Sequence, residues 1–261
     1  AVINYISRIF APIESLGMEI QTIQSAMAGV KRIDAFLAEE ERTIPEEREN
    51  EARGDVVLSH VTFGYSDKLV LNDFSMEVKE GEQITLVGRT GAGKSTIFKL
   101  LLGLYKPESG KITIGGVDVS DITDSERRAC IGCVEQHFSR VPGNVLDQIT
   151  LSDPSITEEM AQNAAKLAGI DETIRSFPEG YAAVCTDGMF SQGEWQLLSI
   201  ARAAAADPAV LLLDEITANL DAETEARVLE ALRRASAGRT VLSISHRIYE
   251  NLGGRTIEIK A

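Results

Sequence analysis

The sequence predicts an α/β protein built around a largely parallel β-sheet. Short runs of apolar and β-branched residues alternate with helical patterns over most of the chain, which is the order that a parallel sheet requires. One of these runs, residues 83–87, leads directly into a glycine-rich loop and then into a helix. With 261 residues, of which 44% are hydrophobic and 25% charged, the chain is long enough to bury a core of this kind.

A long amphipathic helix is predicted before the α/β region. Apolar residues repeat there with heptad spacing, and Pro12 predicts a kink or an early turn. One row contains Ile6, Ile13, Ile20 and Met27, and the other contains Ile9, Leu16, Ile23, Val30 and Leu37. The given sequence begins at Ala1 with neither a methionine nor a signal peptide, so we expect it to be a piece of a longer chain. Because a heptad seam requires a facing helix, we expect this helix to pack on the missing chain. Packing on its own domain is the alternative.

An acidic connection follows the helix. Residues 38–54 contain seven glutamates around Pro45 and end at Gly54, which predicts a linker or a solvated connection. We therefore expect three parts, namely a helix over residues 1–37, a linker over residues 38–54 and an α/β domain over residues 55–261.

Strands and helices alternate through the third part. Strands are predicted at residues 56–62, 69–78, 83–87, 111–114, 130–134, 210–213, 240–243 and 256–259. Helices are predicted at residues 95–102, 157–167, 194–206 and 222–235.

Charge and cysteine content exclude several classes of protein. The chain has 40 acidic and 26 basic residues and a net charge of -14, so its field repels nucleic-acid phosphates. No run reaches the roughly 18 apolar residues of a membrane-spanning helix. Three cysteines favour a reducing compartment over a disulfide scaffold. Cys130 and Cys133, with His137 nearby, hint at a metal site, but a second pair of ligands is missing.

A phosphate-binding loop is predicted at residues 88–95, which fit the pattern G-x-x-x-x-G-K-S between an apolar strand and a helix. The glycines let successive N–H groups point into one concavity, and the helix adds its positive N-terminal end. Lys94 would reach the terminal phosphates, and the Ser95 hydroxyl would bind Mg²⁺. The predicted contacts are Gly88, Arg89, Thr90, Gly91, Ala92, Gly93, Lys94, Ser95 and Thr96.

A second half of this site is predicted where the apolar strand at residues 210–213 ends in two acids. Asp214 would accept a hydrogen bond from a Mg²⁺-bound water or hold Mg²⁺ through that water, and Glu215 would polarise an attacking water. The alternative is a strand end with two solvated carboxylates.

The segment Phe190-Ser191-Gln192-Gly193-Glu194 lies just before a helix and ahead of the acidic strand. With the phosphate loop, it resembles the signature of ATP-binding-cassette ATPases, over roughly residues 55–260. The resemblance implies a P-loop NTPase core of the RecA type with an antiparallel β-subdomain and an inserted α-helical subdomain. It also implies ATP and Mg²⁺ as ligands, and ATP hydrolysis as the activity.

The resemblance implies roles for further residues. Tyr65 would stack on adenine, Gln136 would touch Mg²⁺ and sense a transmembrane part, and His246 would face the γ-phosphate. Ser191 and Gly193 would dock on the nucleotide of a second nucleotide-binding domain, and Asp221 would communicate across that dimer. Taken singly, each residue also has an ordinary reading, such as a core tyrosine, a surface glutamine or a packed histidine.

The predicted N-terminal helix resembles the cytoplasmic end of the last transmembrane helix of exporters that fuse a six-helix membrane domain to the ATPase. The resemblance implies a transmembrane domain as a further partner and a location at the cytoplasmic face of the plasma membrane. Importer ATPases begin near the first strand, so the helix disfavours that branch.

The signature departs from the usual Leu-Ser-Gly-Gly-Gln at Gln192 and Glu194. A carboxylate near a partner's ATP predicts a weakened half-site, and hence a heterodimer whose other subunit supplies a regular signature. Two alternatives are a regulatory cassette that binds ATP with little hydrolysis and a soluble cassette ATPase of DNA repair. The second would need a long coiled-coil insertion, for which the spacing from Lys94 to Ser191 leaves no room.

Overall fold

The computed structural model describes residues 2–38, 53–66, 68–135, 138–214, 220–244 and 253–259. The chain divides into two compact units, Ala1–Ile44 and Pro45–Ala261. The first contains helix α1 (Val2–Leu37), and the second contains the described strands and the other helices. The boundary falls within the acidic connection that the sequence predicts.

Helix α1 forms as the heptad pattern predicts, and it continues through Pro12 without the expected early turn. The apolar rows are between 54% and 59% exposed at Leu16, Ile20, Ile23, Met27 and Val30. Exposed apolar surface of this kind is typical of a contact with another polypeptide or with lipid. Among the described helices, α1 included, none combines the length and apolar character needed to cross a bilayer.

The second unit follows the alternation that the sequence predicts. Its strands are β1 (Val56–Tyr65), β2 (Lys68–Val78), β3 (Gln83–Val87), β4 (Ser109–Ile114), β5 (Val117–Asp118), β6 (Ile131–Val134), β7 (Val210–Asp214), β8 (Thr240–Ile244) and β9 (Arg255–Glu258). Its helices are α2 (Lys94–Leu101), α3 (Asp124–Cys130), α4 (Val145–Thr150), α5 (Glu158–Ala168), α6 (Asp171–Ser176), α7 (Gln192–Ala204) and α8 (Ala222–Ser236), with a 3₁₀ turn at Gly180–Ala182.

Within the described residues, five strands form a parallel sheet in the order β6-β7-β8-β3-β9. Strands β7 and β8 are apolar and almost fully buried, because a parallel sheet is covered on both faces. The buried hydroxyls of Thr85 and Ser243, 2.7 Å apart, join β3 to β8. Since parallel strands end at one edge, the carboxyl ends of β3, β6, β7 and β8 lie side by side, which is where ligands bind in such sheets.

A second, antiparallel sheet has the order β2-β1-β4-β5 in the described part of the chain. Register shifts on β1 between Leu58 and Val61, and again between Val61 and Phe63, break its alternation of buried and exposed residues. The sequence pattern therefore predicts an end at residue 62, whereas β1 continues to Tyr65.

Helices α4 and α5 pack on α7, and α6 packs on α5 and contributes Ile174 to the same hydrophobic core. The face that α5 turns towards this core consists of small buried side chains, which allow close packing on α7: Ala161, Ala164, Ala165 and Ala168. Together, the parallel core, the antiparallel sheet and this helical part confirm the fold class.

Candidate functional site

The phosphate loop lies between β3 and α2. Strand β3 is held between β8 and β9 in the parallel sheet. Helix α2 is anchored by buried Ile97, Phe98, Leu100 and Leu101. Both ends of the loop are therefore fixed to the core, while Arg89, Thr90 and Gly91 at its tip are exposed.

Three glycines of the loop have positive φ, which other residues rarely adopt: 153° at Gly88, 84° at Gly91 and 100° at Gly93. A Cβ at Gly88 would lie 2.7 Å from the Ile259 carbonyl oxygen, and one at Gly93 would lie 3.0 Å from Leu71 Cδ2. A Cβ at Gly91 would meet nothing within 4 Å. Packing thus requires two of the glycines, and the third borders open space where a ligand can approach the backbone.

The N-terminus of α2 has no side-chain cap, because Gly93 occupies the N-cap position. The first N–H groups of a helix lack partners within the helix, and the helix dipole makes this end attractive to anions. Lys94 Nζ donates to the carbonyl oxygens of Gly88 at 2.8 Å and of Arg89 at 3.1 Å. These hydrogen bonds join the C-terminal end of the loop to its N-terminal end. These features fit a phosphate group.

Tyr65, at the end of β1, lies beside the phosphate loop. Its hydroxyl is 3.5 Å from Thr96 Oγ1 in the first turn of α2. Its ring packs edge-on against Phe63 and Tyr105, with centroids 5.0 and 5.3 Å away, and Lys99 Nζ lies 5.6 Å from its centroid. Tyr105 therefore packs against Tyr65, the residue predicted to stack on adenine. Sequence alone does not predict this contact, because the two tyrosines are distant in the chain.

The acidic strand ends at the same sheet edge as the loop. Asp214, half-buried, closes β7, and β8 alone separates β7 from β3 in the sheet. Ser95 is exposed on the first turn of α2. One carboxylate and one hydroxyl beside a phosphate site fit Mg²⁺, which keeps several waters and takes few protein ligands.

Three predicted catalytic residues, Gln136, Glu215 and His246, lie outside the described residues. Each follows a described strand of the parallel sheet by one or two positions in sequence, since β6 ends at Val134, β7 at Asp214 and β8 at Ile244. The carboxyl ends of these three strands lie at the sheet edge that carries the phosphate loop, because β6, β7, β8 and β3 are adjacent and parallel.

The signature residues form the N-terminus of α7. Glu194 Oε2 accepts from the backbone N–H and from the hydroxyl of Ser191, both at 2.8 Å, and Glu194 N–H donates back to Ser191 Oγ at 3.3 Å. This is a capping box, which satisfies two groups at the helix end. Glu194, which departs from the usual signature as Gln192 does, therefore holds the Ser191 hydroxyl.

Gly193 and Asp221 meet through Thr224, which sequence analysis did not single out. A Cβ at Gly193 would lie 2.1 Å from Thr224 Cγ2, so only glycine fits there. Asp221 caps α8 by accepting from Thr224 N–H at 3.0 Å and from its hydroxyl at 2.7 Å. These two hydrogen bonds lower the pKa of Asp221.

Among the residues that the structure describes, no group of three metal-binding side chains is found, and His137, which the sequence places near the two cysteines, lies outside them. Cys130 ends α3 and Cys133 lies on β6. Burial raises the pKa of both thiols to about 12, which disfavours the thiolate that a metal requires.

A model of the ABC transporter family matches residues 71–218. The chain belongs to the ABC transporter family. The match contains the phosphate loop, the signature and the acidic strand, and the chain is an ABC transporter nucleotide-binding domain. The family resemblance is thereby confirmed.

Relatives of this ABC domain are longer proteins. It is 36% identical over 255 residues to the ABC transporter ATP-binding protein exp8 of Streptococcus pneumoniae, covering 95% of this chain and 43% of the relative. It is 35% identical over 252 residues to the fatty acid ABC transporter ATP-binding/permease protein of Mycobacterium bovis, covering 95% of this chain and 40% of the relative. The chain thus spans less than half the length of these relatives.

A solved structure agrees with these relatives. The chain superposes on a bacterial Atm1-family ABC exporter with ATP bound, with a TM-score of 0.72 and 30% identity, over 98% of this chain and 46% of the other. At this identity the likeness supports the shared family as well as the fold.

Proposed function

We propose that this chain binds and hydrolyses ATP to power export across a membrane, as one nucleotide-binding domain of an ABC exporter. The observation that carries the proposal is the phosphate loop, where glycines of positive φ precede an uncapped helix N-terminus. The ATP-binding/permease relative and the Atm1-family exporter support the coupling to transport.

In the proposed mechanism, the triphosphate lies on residues 88–96 and the adenine stacks on Tyr65. A base on an aromatic face contributes about 1 to 3 kcal/mol. Lys94 exchanges the carbonyls of Gly88 and Arg89 for phosphate oxygens. Glu215 orients a water for in-line attack, and His246 holds the γ-phosphate as charge develops.

Ser95, Asp214 and Gln136 are the proposed magnesium ligands. When bound, Mg²⁺ neutralises charge on the phosphate oxygens. Ser95 presents an exposed hydroxyl at the start of α2, and Asp214 a half-buried carboxylate at the end of β7.

Hydrolysis in this proposal requires a second nucleotide-binding domain that closes over the ATP with its own signature. This chain supplies the hydrolysing half through Lys94, Asp214, Glu215 and His246. Its own signature is weakened, because Glu194 holds the Ser191 hydroxyl and adds a negative charge where a phosphate would dock. We therefore favour a heterodimer whose other subunit carries a regular signature.

We propose that α1 is the cytoplasmic end of a transmembrane helix and that residues 38–54 link it to the ABC domain over residues 55–261. The exposed apolar rows of α1 support a contact with further membrane-domain helices. The ABC domain would then lie at the cytoplasmic face of the plasma membrane, where closure moves the membrane helices.

A second candidate is a regulatory cassette that binds ATP with little hydrolysis. The capping box of Ser191 and Glu194 favours it, because a committed serine hydroxyl is a poor donor to a partner's γ-phosphate. Both candidates require ATP binding, and they differ in turnover.

Calorimetry with ATP, with and without Mg²⁺, tests the shared step, and phosphate release separates the candidates. We expect magnesium-dependent binding, and turnover that rises when a cassette with a regular signature is added. Absence of binding would refute both functions. Turnover by this chain alone that equals or exceeds that of the mixture would refute the heterodimer.

A further inference from the structure

The orientation of the Tyr65 ring is set by packing more than by hydrogen bonding. The backbone of Tyr65 is fixed at the end of β1, where it pairs with Lys68. A Cβ at Gly64 would lie 2.7 Å from the Lys68 carbonyl oxygen, so β2 approaches this end of β1 closely. The Tyr65 hydroxyl is 3.5 Å from Thr96 Oγ1, which is long for a hydrogen bond between hydroxyls. The direction of the ring therefore depends on the side chains that surround it.

Phe63 and Tyr105 form an aromatic cluster with Tyr65. The plane of the Tyr65 ring lies at 85° to that of Phe63 and at 90° to that of Tyr105, with centroids 5.0 and 5.3 Å away. Phe63 and Tyr105 also contact each other, with centroids 5.5 Å apart. Edge-to-face pairs of this kind are favourable and have a defined geometry. The cluster thus restricts the directions that the Tyr65 ring can adopt.

The two supporting rings differ in burial. Phe63 is 5% exposed and belongs to the hydrophobic core, so its loss would destabilise the fold. Tyr105 is 42% exposed. A side chain with this much surface in water contributes less to the free energy of unfolding. The contribution of Tyr105 to ligand binding can therefore be measured in a variant that keeps the core intact.

Tyr105 is fixed to helix α2 through the residues just before it. Leu104 N–H donates to the Lys99 carbonyl at 2.9 Å, which extends the hydrogen bonding of α2 beyond its last residue. Arg127 Nη1 donates to the Leu102 carbonyl at 2.9 Å and so holds the same segment from the side of α3. The Tyr105 backbone is thereby held close to the end of α2.

Helix α2 carries the phosphate loop at its start and Tyr105 just beyond its end. Its eight residues span about 12 Å. Tyr65 lies along this helix, because its hydroxyl is near Thr96 in the first turn and Lys99 Nζ lies 5.6 Å from its ring centroid. One rigid element therefore relates the ring that is proposed to bind the base to the loop that is proposed to bind the phosphates.

We propose that Tyr105 is a positioning residue that holds the Tyr65 ring in the orientation that stacks on the nucleobase. Tyr105 then raises the affinity for ATP but not the affinity for a phosphate chain without a base. This inference rests on the proposed function. A ring that is already oriented loses less conformational freedom when the base binds, which is the physical source of the added affinity. Tyr105 touches neither the base nor the phosphates in this account.

The test compares ATP with inorganic tripolyphosphate, which has the phosphates but no base. Calorimetry with Mg²⁺ measures both dissociation constants for the 261-residue chain and its variants. The variants are Tyr105→Leu, Tyr65→Leu and the double variant. Binding of tripolyphosphate reports whether the phosphate loop is intact and the chain is folded.

Two further variants are the controls. Tyr105→Phe keeps the ring and removes only the hydroxyl. Leu104→Ala removes an apolar side chain that is 65% exposed and precedes Tyr105 directly. The first control tests whether the ring is the active group, and the second tests whether any truncation after α2 has the same effect.

We expect Tyr105→Leu to weaken ATP binding about fivefold, the size of one aromatic pair, and to leave tripolyphosphate binding within about twofold. Tyr65→Leu should weaken ATP binding at least about tenfold, because the stacking surface itself is lost. The double variant should bind ATP as Tyr65→Leu does, since Tyr105 acts through Tyr65. Both control variants should keep both affinities within about twofold of the wild type.

Several results would overturn the inference in a wild type that binds ATP. Additive losses in the double variant would mean that Tyr105 acts independently of Tyr65. An equal loss of tripolyphosphate affinity in Tyr105→Leu would place its effect on the phosphate loop. An unchanged ATP affinity in Tyr105→Leu or in Tyr65→Leu, or a fivefold loss in either control, would also contradict it. Failure of the wild type to bind ATP would instead refute the proposed function, and the inference with it.

Discussion

Helices α2 and α7 both begin at a motif of the ABC family, but their N-termini are satisfied differently. Gly93 precedes α2 and offers no side chain, so the first N–H groups remain available. Ser191 precedes α7 and, with Glu194, completes a capping box. The first helix end can accept an anion, whereas the second already carries one.

The comparison shows that the cap decides whether a helix end can serve a ligand. A side-chain cap contributes about 1 kcal/mol to helix stability, which α2 forgoes and α7 has. Binding of a phosphate would supply the missing partner at α2 and so stabilise the ABC domain. At α7, an approaching phosphate would meet the Glu194 carboxylate and a serine hydroxyl that is already donated.

Turnover at the α2 side should depend most strongly on Glu215. Glu215→Gln should lower the rate of phosphate release by about 10²- to 10⁴-fold, since the general base is removed. Binding should persist, and gel filtration with Mg·ATP and a cassette that carries a regular signature should detect a closed dimer. Hydrolysis at the wild-type rate would show that another residue is the base.

Binding at the α2 side should depend on Lys94. Lys94→Ala should weaken ATP binding by about 10- to 100-fold in calorimetry, because a charged hydrogen-bond donor contributes about 1.5 to 3 kcal/mol. Lys111→Ala, at an exposed position on β4, is the control for loss of a positive charge. Equal affinities in the two variants would break the assignment of the α2 end as the phosphate site.

Packing at the α7 side should depend on Gly193. Gly193→Ala places a Cβ 2.1 Å from Thr224 Cγ2 and should lower the free energy of unfolding by about 1 to 3 kcal/mol. Adding Thr224→Ser should restore part of it, because serine lacks the γ-methyl but keeps the hydroxyl that donates to Asp221. Urea unfolding of the single and double variants measures the difference. Equal losses with and without Thr224→Ser would exclude this contact as the cause.

The charge of Glu194 should have a smaller effect. Glu194→Gln can keep the capping box while removing the charge, and should raise the chain's own turnover by about fivefold, given about 1 kcal/mol between charges 4 Å apart in water. Glu126→Gln is the control, because Thr123 and Glu126 form the same box at α3. A similar rise in both variants, or none in Glu194→Gln, would remove the argument for a weakened signature.

The smallest expected effect is in the pH dependence of the α8 cap. Hydrogen bonds from Thr224 lower the pKa of Asp221 in the folded state. Its contribution is therefore complete above the ordinary aspartate pKa of about 3.9 and is lost as the pH falls through the lower folded value. Asp221→Asn should flatten the loss of stability below about pH 4 in urea unfolding. If the free energy of unfolding falls with pH equally in Asp221→Asn and the wild type, Asp221 does not contribute to the pH dependence of stability.

Sequence predicted the centre of the parallel sheet well because β3, β7 and β8 are mostly buried and read as largely apolar runs. It missed α4 and α6, which have six residues each, and α3, which has seven. Helices of this length are too short to show a period. The capping boxes at Thr123 with Glu126 and at Asn144 with Asp147 were the main signals for α3 and α4, whereas α6 has no side-chain cap.

The phosphate loop could be predicted because its functional groups are contiguous in the chain. Contacts between distant segments could not, since spacing carries no information about them. Arg202 donates hydrogen bonds to carbonyls that lie 54 and 63 residues away in the chain, and no sequence pattern predicts them. The shape of the Gly193 site likewise depends on Thr224, which belongs to another helix.

The contact between Gly193 and Thr224 bears on chimaeras of ABC domains. A signature motif grafted from a relative arrives without the first turn of α8 that was shaped around it. When α7 and α8 of such a domain come from different proteins, positions 193 and 224 should therefore be exchanged together.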